Sequence, residues 1–351
     1  MANYILKRLL LMIPTLVGVM LVTFVVTQFV PGGPVEQLIS QLEGAGPTGG
    51  EVSSSSAGLY HGSKGLDQEQ VDKLNVLYGF DKPAPQRFLD MMLRYAQFDL
   101  GESYFHNKSV MDLIISKLPV SISLGVWSFL IVYLSCIPLG IKKAMHDGSK
   151  FDVITSTIIL MGYAIPGFVL GIALLVLFGG GSFFDVFPLK GLTSDNWDEL
   201  PWYKQVTDYL WHMVLPILAS TVGSFAVLTM LTKNSFLEEI RKQYVLTARA
   251  KGLDQSSVLY RHVFRNAMIP IVTGFPGAFI ASFFTGSLLI ETIFSLDGLG
   301  LLSYESILKR DYPVVLGSLF FYTILGLFAK LLADVSYVLI DPRIQFDSVD
   351  K

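Results

Sequence analysis

Six apolar runs divide the chain. The first covers about 22 residues from Leu9 to Val30, just after Lys7 and Arg8, and the others lie near 118–141, 152–178, 209–232, 267–291 and 313–340. At about 1.5 Å of rise per residue, each is long enough to cross a bilayer as a helix. The expected fold class is an all-α integral membrane protein with six transmembrane helices. The first run is longer than the apolar core of a signal peptide and lacks a small-residue cleavage site. Residues 1–30 are therefore expected to be a cytoplasmic N-terminus followed by a retained transmembrane helix 1. Pro138, Pro166, Pro216, Pro270 and Pro276 fall within the runs, where neighbouring helices can satisfy the freed carbonyls. Gly167 and Gly171 form a small-xxx-small pair suited to close helix packing.

Between the first two runs lies a polar segment, 31–117. Within it, 44–65 is rich in Gly and Ser and reads as a flexible insertion. Residues 67–98 are amphipathic, with Leu74, Leu77, Phe80, Phe88, Met91, Met92 and Tyr95 on one stripe. An external helical segment between spans 1 and 2 is expected there. The remaining five spans occupy 118–340, interrupted by a basic hairpin at 236–268, and 341–351 form a C-terminal tail.

Composition supports a lipid solvent. Of 351 residues, 52% are hydrophobic and only 16% charged, against about 25% charged in soluble domains. Mean hydropathy is +0.52. Positive charge then sets the orientation. Lys7, Arg8, Lys142, Lys143, Lys150, Lys233, Arg241, Lys242, Arg249, Lys251, Arg261, Arg265, Arg343 and Lys351 fall on one side, fourteen in all. The short connections on the other side hold four: Lys190, Lys204, Lys309 and Arg310. Both termini and the basic hairpin are expected to be cytoplasmic. Cys136 sits in an apolar run and reads as an inert core thiol.

The hairpin contains "FLEEIRKQYVLTARA" at 236–250, composed largely of good helix formers. Phe236, Ile240, Tyr244 and Ala248 recur every four residues on one stripe, so a single helix is expected. Gly252 is placed to stop that helix in a left-handed cap, and Asp254 to cap a second helix, 255–268. These residues suit either an ordinary loop with positive-inside charge or a docking surface for a cytoplasmic partner. A DNA-binding helix-turn-helix does not suit a hairpin tethered at both ends to spans.

No enzyme chemistry stands out. The chain has no phosphate-binding G-x-x-x-x-G-K-[ST], no H-E-x-x-H and no G-x-S-x-G. Its five histidines are dispersed without metal-ligand spacing, and Gly298–Leu299–Gly300 lacks the third Gly of a dinucleotide site. Neither a catalytic residue nor a metal ligand is assigned. Lys330 and Asp334, one turn apart in the last run, are a possible intramembrane pair. Glu291 closes the fifth run and is expected at the outer interface. The alternative to a path powered from elsewhere is a self-powered secondary carrier or channel.

"TARAKGL" at Thr247–Leu253, followed by "HVFRNAMIP" at His262–Pro270, resembles the coupling motif of ABC importer permeases, and more narrowly that of the dipeptide and oligopeptide family. "KRLLLMIPTLVGVMLVTF", "PGGP", "YGFDKPAPQRF", "FDLGES", "ETIFSLDGLGLLSYESILKRDYPVV" and "DVSYVLIDPRI" extend the resemblance, in order, over nearly the whole chain. Gly33 in "PGGP", Asp297 before Gly-Leu-Gly and the 44–65 insertion depart from the common pattern. Together they resemble the Yej-type branch, associated with oligopeptides and microcin C. The resemblance implies a type I importer permease fold in the bacterial inner membrane, and import by alternating access. It implies that Tyr244, Thr247, Ala248, Arg249, Ala250, Lys251 and Gly252, with Arg265 and Asn266 bracing the second arm, couple the chain to an ATPase. The partners it implies are a homologous second permease, cytoplasmic ATPase subunits that hold ATP and Mg, and a periplasmic substrate-binding protein. No cofactor or nucleic acid is expected on this chain.

Overall fold

The computed structural model describes residues 2–29, 82–180, 183–284 and 288–340. The insertion 44–65, the stripe residues Leu74, Leu77 and Phe80, and the tail 341–351 lie outside the described residues. Among the described residues the regular elements are helices: α1 (Ala2–Phe29), α2 (Ala84–Tyr95), α3 (Val110–Met145), α4 (Lys150–Ala164), α5 (Gly167–Phe178), α6 (Trp202–Ile240), α7 (Gln243–Ala250), α8 (Gln255–Ala267), α9 (Ile269–Phe284), α10 (Leu288–Ile293), α11 (Leu299–Leu308) and α12 (Tyr312–Ile340). Four stretches are long and apolar enough to cross a membrane: Tyr4–Phe29, Val110–Met145, Trp202–Ile240 and Tyr312–Ser336. Two bent pairs raise the number to six if each is one span.

The run expected as one helix over 152–178 is two helices, α4 and α5, meeting at 94°. The cause is local. Proline disfavours helical backbone in the residue before it, and Ile165 ahead of Pro166 is extended at φ −89°, ψ 120°. A second bend lies where the hairpin's second arm enters the fifth run: α8 and α9 meet at 50° beside Met268. Within α8, Leu259–Val263 form a π-turn, a local widening common at functional positions.

Contacts group the chain into two units. The first comprises the described residues of 1–10, 116–302 and 324–351. Its core joins Leu124 of α3, Met213, Leu215, Ile217 and Ala219 of α6, Ile290 of α10, and Phe294 and Leu296 beyond it. A second cluster packs Val132 and Cys136 of α3 against Leu228 and Ile271. Cys136 is fully buried there. Many other apolar side chains are exposed, among them Leu134, Ile154, Ile158, Met161 and Val227, as expected of surfaces that meet lipid or another subunit.

The second unit comprises the described residues of 11–115 together with 303–323. Here α2 buries Tyr95 against Phe320, with ring centroids 4.9 Å apart, and Phe88 packs on Phe24 at 5.4 Å. Phe88, Met91 and Met92 are half-buried, so this end of the amphipathic stripe does face the unit's interior. Asp311 is fully buried. It accepts the Ser103 hydroxyl at 2.5 Å and the Tyr104 N–H at 3.1 Å, which ties the 101–109 loop to the start of α12.

Candidate functional site

The basic hairpin is built on the end of α6. The single helix expected over 236–250 is broken at Arg241–Lys242, where Lys242 is extended with ψ 150°. Residues 236–240 finish the long helix α6, and 243–250 form α7. The stripe survives the break. Phe236, Val245 and Ala248 are buried with Val258, Leu259, Val263 and Ala267 of α8 and Ala144 of α3, and Ile240 and Tyr244 pack against them. Glu239 holds the break shut by accepting the Tyr244 hydroxyl at 2.5 Å and the Lys242 ammonium. Asn266 of α8 donates to the same Tyr244 hydroxyl at 3.2 Å, so the two arms are joined by a polar bridge above the apolar one.

The turn follows from two residues. Gly252 has φ +80°, a backbone region that costs a side-chain-bearing residue roughly 1–2 kcal/mol. Its N–H donates to Arg249 O at 2.9 Å and the Leu253 N–H to Ala248 O at 3.4 Å, the paired bonds of a Schellman stop. Asp254 then caps α8 by accepting the Ser257 N–H at 3.1 Å. The Ser256 hydroxyl and then the Ser257 groups hold its carboxyl well below the usual carboxylate range.

This geometry sorts the candidate residues. Thr247, Arg249, Ala250, Lys251, Gly252, Arg265 and Asn266 are exposed, Tyr244 is half-buried, and Ala248 is buried inside the hairpin. Ala248 therefore shapes the surface from beneath, and an arginine there would break the hairpin itself. Leu246, Leu253 and Tyr260 add exposed apolar area to the same rim. Leu253 ends the quoted motif, whereas Leu246 and Tyr260 were not singled out by the sequence reading.

Next to the hairpin is a charge cluster that sequence reasoning read only as orientation charge. Lys143 at the end of α3 is fully buried. Its ammonium donates to Asp152 O at 2.8 Å, Thr155 Oγ1 at 2.8 Å and Ser156 Oγ at 2.7 Å, and lies 3.0 Å from Asp152 Oδ1. Lys233 of α6 reaches Asp152 at 2.7 Å and Asp147 at 2.9 Å. Two cations and two carboxylates thus bind α3, α4 and α6 together.

The pair expected between Lys330 and Asp334 does not form. Asp334 instead lies 2.9 Å from Arg8 of α1, and Lys330 is exposed. One turn of separation allows a pair but does not compel it, and a guanidinium from another helix takes the carboxylate. Glu291, which closes the fifth run, is fully buried among protein atoms. Its carboxylate accepts the Leu301 N–H at 2.7 Å, capping the first turn of α11, and lies directly on Gly298. Asp297, beside it, pairs with Lys117 of α3.

Between α3, α5, α6, α9 and α10 lies a cavity of about 830 Å³, lined by residues such as Gly125, Ser128, Ser220, Gly223, Ser224 and Gly274. Its described lining holds no charged side chain. The lining also includes large apolar and aromatic side chains such as Phe129, Tyr133, Phe168 and Leu231, so the hollow is uncharged and largely apolar.

Residues 136–346 match the family described as "Binding-protein-dependent transport system inner membrane component". This chain belongs to that family. These permeases are transport subunits of the inner membrane rather than enzymes. Over its full length the chain is 57% identical to the full-length "Peptidoglycan transport system permease protein YejB" of Agrobacterium fabrum (strain C58). It is 52% identical, over 99% of its length and all of the relative's, to the "Inner membrane ABC transporter permease protein YejB" of Escherichia coli O157:H7. The "Dipeptide transport system permease protein DppB" of Bacillus subtilis (strain 168) is 30% identical over 98% of each chain. The chain is thus an ABC importer permease of the dipeptide and oligopeptide group, and the Yej-type branch resembles it more than the DppB branch does.

Proposed function

We propose that the chain is the transmembrane subunit of an importer that moves peptides across the bacterial inner membrane by alternating access. Its cargo would be oligopeptides, including peptidoglycan-derived peptides and peptide-like antibiotics such as microcin C. Six spans leave both termini in the cytoplasm. A homologous second permease completes the path, a periplasmic binding protein delivers cargo, and separate cytoplasmic subunits hold ATP and Mg²⁺. The Yej-type relatives and the neutral cavity favour this reading over a self-powered carrier, which needs ionisable groups along its path.

The observation that carries the reading is the hairpin. Its inner face is consumed by its own core, while Leu246, Thr247, Arg249, Lys251 and Leu253 stand outward around a turn stopped at Gly252. A rigid, apolar-rimmed basic knob fits the cleft of a soluble partner. ATP-driven closure of that partner would move the knob, and rigid-body rocking of the two permeases would open the path to alternate sides.

The test is co-purification from membranes of the wild type, Arg249→Glu/Lys251→Glu and Leu253→Asp with the ATPase and the second permease. The variants alter exposed side chains only. They should lose the ATPase and keep the second permease. Variants that retain the ATPase with unchanged substrate-stimulated turnover would remove the docking assignment, and peptide uptake by the chain without any ATPase would establish the self-powered carrier.

A further inference from the structure

We propose that the four-residue cluster of Lys143, Asp147, Asp152 and Lys233 is the link that carries movement of the hairpin to the cavity wall. This rests on the reading of the hairpin as the ATPase docking surface. The apolar core of the hairpin includes Ile141, Ala144 and Met145 of α3 and Phe236, Leu237 and Ile240 of α6, but no residue of α4. The polar cluster lies at the same ends. Lys143 adjoins Ala144, and Lys233 precedes Phe236 by about one turn. Through Asp152, Thr155 and Ser156, the cluster ties the first turns of α4 to both hairpin-bearing helices.

From that anchor, α4 runs 15 residues, a rod of about 22 Å. It ends at the bend before Pro166 and passes into α5, whose Gly167 and Phe168 line the cavity. A push on the hairpin would therefore reach the cavity along α3 and α6 directly and along α4 as a lever. Flexible surface ion pairs could not transmit such a push. This cluster can, because Lys143 is fully buried and its ammonium donates to three oxygens of α4, which fixes it in place. Arg241, 3.7 Å from Asp147, extends the network toward the break between α6 and α7.

The experiment uses the complete transporter in proteoliposomes and reads peptide imported per ATP hydrolysed. Lys233→Met/Asp147→Asn removes one cation and one anion, so the net charge of the cluster is unchanged and Asp152 keeps Lys143. The ATPase should stay bound and active, while import per ATP falls about fivefold or more. Lys233→Arg, which keeps the charge, should restore the ratio to within about twofold. A second neutral variant, Lys233→Gln/Asp147→Asn, guards against a packing fault peculiar to methionine. An unchanged ratio in both neutral variants overturns the proposal. So does an equal fall in hydrolysis and import, which would mark a purely structural role. Failure of the docking reading looks different: the exposed-rim variants of the hairpin would keep a normal ratio, and the link would fall with it.

Discussion

Gly298→Ala should destabilise the chain through one neighbour, Glu291. A methyl at Gly298 would lie 2.6 Å from Glu291 Cδ, 2.7 Å from Oε1 and 2.8 Å from Oε2. Ordinary contact begins near ~3.5 Å, so the carboxyl group must retreat by about 1 Å. It has no room to do so freely, because Glu291 is fully buried. The same retreat stretches the 2.7 Å bond from Leu301 N–H beyond hydrogen-bonding range. Overpacking costs about 1–3 kcal/mol and a lost buried hydrogen bond about 1–3 kcal/mol. The two overlap, so a net loss of about 2–4 kcal/mol is expected. At ~2 °C per kcal/mol this lowers the apparent Tm by about 4–8 °C. The assay is thermal unfolding in lipid nanodiscs, run as a double-mutant cycle with Glu291→Ala. In that background the methyl has no carboxylate to displace and should cost under about 1 kcal/mol. A Gly298→Ala protein that melts with the parent, or one that loses as much in the Glu291→Ala background, would refute the reasoning.

Three further outcomes follow from named contacts. Lys143→Met should lower the yield of folded, monodisperse protein in detergent, at about 3 kcal/mol, the lower end for a broken buried pair, because Lys233 still faces Asp152. Ser103→Ala should cost about 1–3 kcal/mol in the same melting assay, since buried Asp311 loses its hydroxyl partner. Asp254→Ala should speed amide exchange at Ser257, seen by mass spectrometry. In the parent, the carboxyl is held below its unfolded value near ~3.9, so the cap's contribution is complete above that pH and is lost only as pH falls through the lower folded value. Protection at Ser257 should therefore be equal at pH 7 and pH 5.

What could be read from the sequence was what neighbours within about four residues decide. Asp254 and Gly252 perform the cap and the stop assigned to them, because both act on backbone groups two or three residues away. The apolar runs were legible for the same reason, although the 94° bend at Ile165 turns one expected rod into two. The break at Lys242 was not legible: helix propensity favours continuing through it, and the Glu239–Tyr244 bond that closes it depends on how the arm packs. Asp334 shows the same limit, since its nearest cation in sequence loses to Arg8, far away in the chain. Lys143 and Lys233 show it most sharply. Their common partner Asp152 is 9 residues from one and 81 from the other. Read singly, the two lysines inform only about orientation. The hairpin turn is therefore a local object, written in one short motif, whereas the Lys143–Asp152–Lys233 cluster exists only once three helices have packed. Substitutions that change partner choice should accordingly fall within 246–265, and those that change coupling at unchanged partner binding should fall outside it.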